Sequence, residues 1–313
     1  WLGYGIPIQM QFGGKITGAG LSWNINKNIV ENFSIGWESG IFSSQSAISL
    51  DSKVADESFI LKEGFLFDIF STYKNLTKTL KLSNLYEKKV DIMDQNIYAR
   101  YTFGADFIAH CRRIKGIAQL GCIIPTSEKI NIKNPASINI GTNGHLGFYG
   151  SLELDFLLKE DINLGFKGSV IGQKSEIKNC RLPYDTEQKK YGTVVTRATV
   201  SPGTTISFSP YLSIEGLREG LGLRLEYSVF NHLADSIKVH DKTVNYNKFA
   251  TRTYSQWAQE HVCFAAFFDF TRKSDHHSFE PFVGLNIHIP VNFFFSNNSA
   301  RCYSISCIFE VLF

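Results

Sequence analysis

The sequence lacks any long hydrophobic run. Its longest purely apolar stretch, VCFAAFF, covers residues 262–268, whereas a membrane-spanning helix needs about 20 apolar residues. We therefore predict that the chain contains no transmembrane helix. Only eight prolines and two methionines occur among the 313 residues, and no low-complexity segment interrupts the chain. Flexible linkers and long disordered regions are therefore not expected.

Charge clusters and metal-binding motifs are absent as well. The net charge is only +3, and the basic residues are not clustered, so the sequence predicts no nucleic-acid partner. The six cysteines form neither a CxxC pair nor a zinc-ligand spacing. The GAG at 18–20 lies inside an expected strand with no helix after it, so it does not indicate a phosphate-binding loop. We predict no metal site and no cofactor.

What the sequence has in abundance is alternation. In GHLGFYGSLELDFLLKE, Leu152 and Leu154 fall on one face, while Glu153 and Asp155 fall on the other. The segment TTISFSPYLSIEG repeats this pattern later in the chain. A period of two residues is typical of β-strands with two chemically distinct faces. Many of these segments exceed the soluble-protein norm of about 5–6 residues per strand.

Segments with this pattern extend over nearly the whole chain. They lie at about 1–12, 15–26, 29–43, 60–73, 96–110, 113–125, 144–158, 161–175, 192–214, 218–231, 252–270, 278–291 and 301–313. A weaker segment, TKTLKLSNLY at 77–86, follows a predicted turn at Lys74 and Asn75. Together they predict about 14 strands, an even number as in single-chain bacterial barrels. The alternative is 12 strands, with 1–12 as a strap and 77–86 within a loop.

The connections between these segments alternate in length. Those at 159–160 and 215–217 are tight, whereas those at 126–143, 176–191 and 232–251 are long. A soluble β-sandwich does not require this alternation, since its Greek-key connections follow another order. An antiparallel up-and-down transmembrane β-barrel does, with short turns at one rim and long loops at the other. We therefore predict an all-β fold that forms a single barrel domain over residues 1–313.

The chain ends on RCYSISCIFEVLF, a two-faced strand that stops at an aromatic residue. The apolar residues at every second position are Tyr303, Ile305, Cys307, Phe309, Val311 and Phe313. This ending resembles the C-terminal signature of Gram-negative outer-membrane β-barrel proteins of the porin-like kind. The resemblance implies integral location in the cell outer membrane, contact with outer-membrane lipid, and a closing strand that pairs with the first. It also implies that the barrel-assembly machinery reads Phe309, Val311 and Phe313.

In such a barrel the polar faces of the strands line the lumen. The residues that we predict to line it are Arg100, Asp106, Lys115, Glu153, Asp155, Lys167, Tyr211, Glu215, Arg224 and Glu226. Further inward positions add more acids than bases; they are Glu38, Asp68, Asp269, Glu280, Glu310 and Lys81. A polar, mildly acidic wall favours ions and small polar solutes. The first hypothesis is therefore a porin-like channel for transport across the outer membrane.

The second hypothesis is an enzyme embedded in a barrel, of the lipase or protease type. Such an enzyme needs a nucleophile and a histidine oriented by an acid or amide, and none of the eight histidines lies in a matching motif. We predict no enzyme and no catalytic residue. A hydrophobic-solute transporter and an adhesin stay open. So do the identity of the solute, a plug in the lumen, a homo-oligomeric state and a disulfide between Cys180 and Cys302.

Overall fold

The computed structural model describes most of the chain. The described residues are 9–53, 75, 77–79, 82, 86–106, 111–159, 161–184, 192, 194–218, 220–270, 280–297 and 301–312. Regular structure in these residues is almost entirely antiparallel β-strand, as the alternation predicted. No helix in these ranges has the length and apolar character needed to cross a membrane.

The described chain contains fifteen strands and one helix of eight residues. They are β1 (Gln9–Val30), β2 (Phe33–Lys53), β3 (Tyr86–Ile92), β4 (Gln95–Asp106), β5 (Arg113–Ile124), β6 (Gly147–Lys159), β7 (Ile162–Gln173), β8 (Glu176–Leu182), β9 (Val194–Ser201), β10 (Thr205–Arg218), β11 (Leu221–His232), β12 (Ser236–Val239), α1 (Lys248–Ser255), β13 (Trp257–Asp269), β14 (Glu280–Val291) and β15 (Ser304–Leu312).

Twelve of these strands form one curled antiparallel sheet in up-and-down order. Its path is β1-β2-β4-β5-β6-β7-β10-β11-β13-β14-β15, and β3 also pairs with β2. The short connections β1–β2, β6–β7 and β10–β11 lie at one end, which we call the turn rim. The long connections β5–β6, β7–β10 and β11–β13 lie at the other end, the loop rim. The predicted fold class, an all-β up-and-down barrel, is confirmed. Among the described residues no ladder joins β1 to β15, so their pairing stays a prediction.

The two faces of this sheet are inverted relative to a soluble protein. On β10, Phe208 is 51% exposed, whereas Ser209 and Tyr211 are each 5% exposed. The same contrast recurs along other strands, where the buried side chains include Ser34, Ser44 and Ser228. We call the face of Ser209 and Tyr211 the inner face and the face of Phe208 the outer face. Polar-in and apolar-out packing is typical of barrels in lipid and excludes the sandwich alternative.

β3 and β4 behave as one interrupted strand. Both run antiparallel to β2, β3 beside residues 41–47 and β4 beside residues 33–38. Met93 and Asp94 separate them, and the Met93 amide still donates to the Gly40 carbonyl at 2.8 Å. Because Asp94 lies in this interruption, the pleat of a strand does not constrain its side chain, and that side chain can bind a loop.

The N-terminal part of the prediction is wrong in detail. The segments 1–12 and 15–26 were predicted as two strands, but β1 runs without a break through Gly13 and Gly14, which pair with Ser49 and Ile48 of β2. Adjacent glycines favour a turn in sequence, yet a glycine also fits an extended ladder when its partner strand supplies the hydrogen bonds. Residues 1–8 lie outside the described residues.

The predicted strand at 77–86 is also wrong. Thr77, Lys78 and Thr79 are helical, and the Thr79 hydroxyl donates to the Asn75 carbonyl at 2.8 Å. The regular strand starts only at Tyr86, as β3. A short apolar pattern does not distinguish a helix from a strand. The predicted strand at 60–73 lies outside the described residues, so the choice between 14 and 12 strands stays open; the main sheet has 12 strands in the described part of the chain when β3 and β4 are counted separately.

Two of the long connections at the loop rim, β7–β10 and β11–β13, contribute the strands of a second small sheet. Its order is β12-β9-β8, so the predicted loop at 176–191 begins with a strand. The predicted strand at 192–214 is divided into β9 and β10 by Pro202 and Gly203, because proline lacks the N–H that a ladder needs. The predicted strand at 252–270 begins as α1, whose N-cap Asn247 accepts the Ala250 amide, and continues as β13.

Candidate functional site

A row of polar residues crosses five neighbouring strands on the inner face. Lys115 of β5 lies opposite Asp155 of β6, which lies opposite Gly165 of β7. Gly165 lies opposite Tyr211 of β10, which lies opposite Glu226 of β11. Directly opposed residues of an antiparallel pair project to the same side. The up-and-down order therefore converts residues far apart in sequence into one continuous row.

Tyr211 is the centre of this row. Its ring occupies the space over Gly165, where an added Cβ atom would lie 2.1 Å from Tyr211 Cζ. Its hydroxyl donates to Glu153 Oε1 at 3.1 Å. The small residue on β7 thus lets a large aromatic side chain lie flat against the wall and reach the carboxylate two strands away.

Arg224 covers the other side of the Tyr211 ring. Its Cζ atom lies 3.5 Å from the ring centroid, a cation–π contact. One guanidinium nitrogen lies 2.8 Å from Glu226 Oε2, and the other oxygen of Glu226 accepts the Ser228 hydroxyl at 2.8 Å. Arg224 is therefore fixed in orientation by a ring on one side and a carboxylate at its end.

A cavity of about 150 Å³ opens between these side chains. It is lined by Lys115, Ile117, Glu153, Asp155, Tyr211, Ser213, Glu215, Arg224 and Phe267. Glu215 is held by the Asn163 side-chain amide at 2.8 Å. Two buried atoms of the lining, Asp155 Oδ1 and Arg224 Nε, make no hydrogen bond within the described part of the chain. Unsatisfied groups of both signs suit a site that exchanges water, ions or small polar solutes.

The structure gathers six of the residues that the sequence predicted to line a lumen, and Glu226 joins them through Arg224. The other three lie apart from the cavity. Lys167 is exposed opposite Glu153. Arg100 lies opposite Gln119 on β5, with its Nε atom buried and without a hydrogen bond. Asp106 is exposed where β4 ends at the turn rim, opposite Arg113.

Three cavity residues were not predicted from the sequence to line a lumen. Ser213 lies on the inner face of β10 by simple alternation, but its small side chain carried no charge to single it out. Ile117 and Phe267 are apolar residues on the inner face. Phe267 belongs to the run VCFAAFF, in which both faces are apolar, so that the period of two gives no side. Only the pairing register of β13 with β11 and β14 assigns Phe267 to the inner face.

The residues of the predicted assembly signature lie on or beyond β15. Phe309 is 68% exposed and lies opposite Val283 of β14, on the outer face. Val311 is a backbone member of β15 opposite Pro281. Phe313 lies outside the described residues. The apolar series of the last strand is thus outward where the side chains are described.

Asp94 binds a long connection at the loop rim, a role that the alternation of the sequence did not indicate. Its Oδ1 accepts the amides of Thr126 and Ser127 at 3.0 and 2.9 Å, and its Oδ2 accepts the amide of Thr142 at 2.5 Å. Burial alone would raise the pKa of Asp94, but the hydrogen bonds from the loop outweigh it and lower that pKa below its usual value. The connection 125–146, here called the rim loop, is closed around one carboxylate.

A second contact joins the rim loop to the small sheet. His145 is 2% exposed; its Nδ1 lies 2.9 Å from the Lys174 carbonyl and its Nε2 lies 2.7 Å from Lys178 Nζ. Since a carbonyl only accepts, Nδ1 carries the hydrogen and Nε2 accepts from the lysine. Burial lowers the pKa of His145, the Lys174 carbonyl opposes this, and the charge of Lys178 adds to the lowering.

One histidine bears on the enzyme hypothesis. His232 Nδ1 lies 2.8 Å from Thr205 Oγ1, and His232 Nε2 lies 3.0 Å from Asp235 Oδ1. The order hydroxyl, imidazole, carboxylate is that of a catalytic triad. However, Asp235 Oδ1 also accepts the Gly203 amide, and the Asp235 amide bonds Ser255. We interpret this series of hydrogen bonds as a structural link between the β9–β10 connection and the β11–β13 connection.

The cysteines and metal-ligand residues form no further centre in the described chain. All six cysteines are free thiols, so Cys180 and Cys302 are not joined in this structure. No group of three or more histidine, cysteine or acidic residues within the described ranges could hold a metal ion.

Comparison with known proteins gives a fold relationship and no family. No family model matches the sequence, and no curated protein matches it. A solved structure, an outer membrane channel from Pseudomonas putida F1, matches with a TM-score of 0.55 and 9% sequence identity. The match covers 96% of this chain and 85% of that one. This chain therefore shares the β-barrel fold of that solved structure.

Proposed function

We propose that this protein is an integral outer-membrane channel of porin-like type, which transports ions or small polar solutes in a Gram-negative cell. The observation that carries the proposal is the polar inner face with its cavity, set in a wall whose outer face is apolar. The fold likeness to an outer membrane channel supports the same assignment. No enzymatic reaction is part of the proposal.

The charges of the cavity favour cations over anions. Glu153, Asp155 and Glu215 face two bases, Lys115 and Arg224. Arg224 is already engaged by Tyr211 and by a carboxylate beyond the cavity, which leaves less of its charge for a passing ion. Carboxylates that outnumber free bases in a pore concentrate cations. We therefore propose a mild cation preference.

Planar-bilayer recording tests the proposal directly. The protein, refolded in detergent and inserted into a bilayer, should give single-channel currents, and a salt gradient should give a reversal potential of the sign for cations. Replacing Lys115→Met should strengthen the preference, whereas Lys159→Met, an exposed lysine at the turn rim, should not. Absence of current from correctly folded protein would contradict the channel, and anion preference would contradict the proposed role of the acids.

The assembly machinery and the outer-membrane lipid are the proposed partners of the last strand. We expect Phe313→Asp to reduce membrane insertion in cells far more than Ser306→Ala. Ser306 lies opposite Asn286 on the inner face, so its change leaves the outward apolar series intact. Equal membrane yields of the two variants would show that the resemblance at the C-terminus has no role in assembly.

A further inference from the structure

One carboxylate of β13 lies on the wrong face of the sheet. Glu260 pairs with Val229 on one side and with Val291 on the other, and it shares the outer face with Phe264, which is 50% exposed. Glu260 itself is 0% exposed. An unpaired carboxylate on a face that meets lipid carries a large penalty. A charged residue at this outward position therefore breaks the alternation of apolar and polar residues, and the contacts of Glu260 explain how it is tolerated.

Glu260 is covered by the connection between β14 and β15. Its carboxylate accepts the amides of Phe293 at 2.9 Å and Phe294 at 3.1 Å, and the hydroxyl of Ser296 at 3.0 Å. The hydroxyl of Tyr227, from β11, donates to it as well. Charge-assisted bonds of this kind are stronger than neutral ones. They hold residues 292–297, here called the aromatic loop, down on the outer face.

The same contacts set the direction of three consecutive phenylalanines. Phe293 stacks on Tyr227 with a centroid distance of 6.3 Å, and Asn297 pairs with Ala258 at the start of β13. Between these two fixed points, Phe293, Phe294 and Phe295 are 61%, 77% and 60% exposed. The loop thus presents an apolar tip, flanked by the exposed amide side chains of Asn292 and Asn297.

We propose that the aromatic loop is a membrane anchor, seated at the boundary between lipid headgroups and acyl chains, and that Glu260 is the residue that positions it. Lipid is the occupant because the loop continues the apolar outer face at the height where that face gives way to the polar loop rim. Aromatic side chains favour this boundary. The anchor fixes the depth of the barrel in the bilayer, a role separate from conduction.

Fluorescence quenching tests the location. Phe294→Trp, refolded into vesicles of phosphatidylcholine with brominated acyl chains, should lose the emission that the added tryptophan gives in unbrominated vesicles. Phe249→Trp is the matched control, since Phe249 is 80% exposed but lies on α1, in a long connection of the loop rim and not on a strand of the main sheet. Its added emission should survive. The unmodified protein supplies the background of the native tryptophans, and circular dichroism reports whether each variant has folded.

Glu260→Gln in the Phe294→Trp background tests the positioning role. One amide nitrogen then faces backbone donors, so the loop should detach and the brominated lipid should quench less. If this variant does not fold, Ser296→Ala removes one bond to Glu260 and should give a smaller loss of quenching. The proposal is overturned if folded Phe294→Trp is not quenched, if Phe249→Trp is quenched equally, or if both positioning variants quench as fully as their parent. Channel currents from the same samples report separately on the proposed function.

Discussion

Leu154 and Asp155 are consecutive residues of β6 that face opposite sides of the sheet. Leu154 lies opposite Phe166, in an apolar row of the outer face, and Asp155 lies opposite Lys115 at the cavity. The peptide bond between them lies within the wall of the barrel, and their side chains project to opposite sides of it. The same substitution at these two positions therefore reports on lipid in one case and on the interior in the other.

We predict that Leu154→Arg lowers the free energy of unfolding by roughly 2–4 kcal/mol if the residue lies at the bilayer midplane, measured by denaturant titration in vesicles. Asp155→Arg should leave that free energy nearly unchanged and shift the reversal potential toward anions. A conducting Asp155→Arg channel with unaltered selectivity and conductance would mean that β6 does not line the pore.

Gly165→Ala should destabilise the barrel by roughly 1–3 kcal/mol, because overpacking displaces a fixed side chain. The new Cβ atom meets the Tyr211 ring, so the loss should shrink when Tyr211→Ser is also present. Gly172→Ala on the same strand is the control, since a Cβ there meets nothing within 4 Å. Equal losses at the two glycines would mean that general backbone effects, and not the ring, set the result.

The His145 contact should make the rim loop sensitive to acid. The pKa of His145 in the fold lies below its ordinary value of 6.5, so the contact contributes stability above pH 6.5 and loses it as pH falls through the lowered pKa. Protonation places a second positive charge at 2.7 Å from Lys178 Nζ; the side chains of Lys129, Glu176 and Asp235 also face this region. Amide exchange in residues 125–146, corrected for intrinsic rates, should rise at acid pH.

The control for this pH effect is His240→Gln, because His240 is exposed and bonds only Thr199 among the contacts described for its ring. It should leave the pH profile unchanged, whereas His145→Gln should flatten it. An unchanged profile in His145→Gln would assign the acid response to another group.

Asp94→Asn should loosen the rim loop at neutral pH. The amide group offers one acceptor where the carboxylate offers two, so at least one loop amide loses its partner, at a cost of roughly 1–3 kcal/mol. In the native protein the lowered pKa of Asp94 means that this stabilisation is present above about pH 4 and is lost as pH falls further. Asp241→Asn, an exposed turn carboxylate, should leave amide exchange in the rim loop unchanged. Identical exchange in both variants would show that Asp94 does not hold the loop.

The sequence predicted what alternation controls. The faces of β6 and β10, the up-and-down order and the inner position of the cavity charges all follow from a period of two together with connection length. Prediction from the sequence failed where a feature other than alternation determines the structure. Pro202 and Gly203 divide a strand, and the apolar run around Phe267 has no polar side to orient it.

Contacts made by single side chains were beyond the sequence for a different reason. Asp94 and His145 act on loop backbone, whose position depends on the fold and leaves no period in the sequence. Glu260 even contradicts the period, since a charge at an outward position indicates a misplaced strand until the covering loop is known. Such residues become visible only when their partners are located in space.

The β1–β2 hairpin is far longer than a bilayer requires. β1 has 22 residues and β2 has 21; at about 3.3 Å per residue an extended strand of this length reaches about 70 Å, and a tilt of about 40° leaves a height of about 55 Å. The hydrocarbon layer takes up only about 30 Å of this. Because its turn lies at the turn rim, the hairpin extends beyond the hydrocarbon layer on the side of the loop rim. There β3 pairs with residues 41–47 of β2 and stiffens it. The rim loop contacts this extension, since the Ser46 hydroxyl of β2 donates to the Ala136 carbonyl, so the hairpin supplies a β-sheet support for the rim loop outside the hydrocarbon layer.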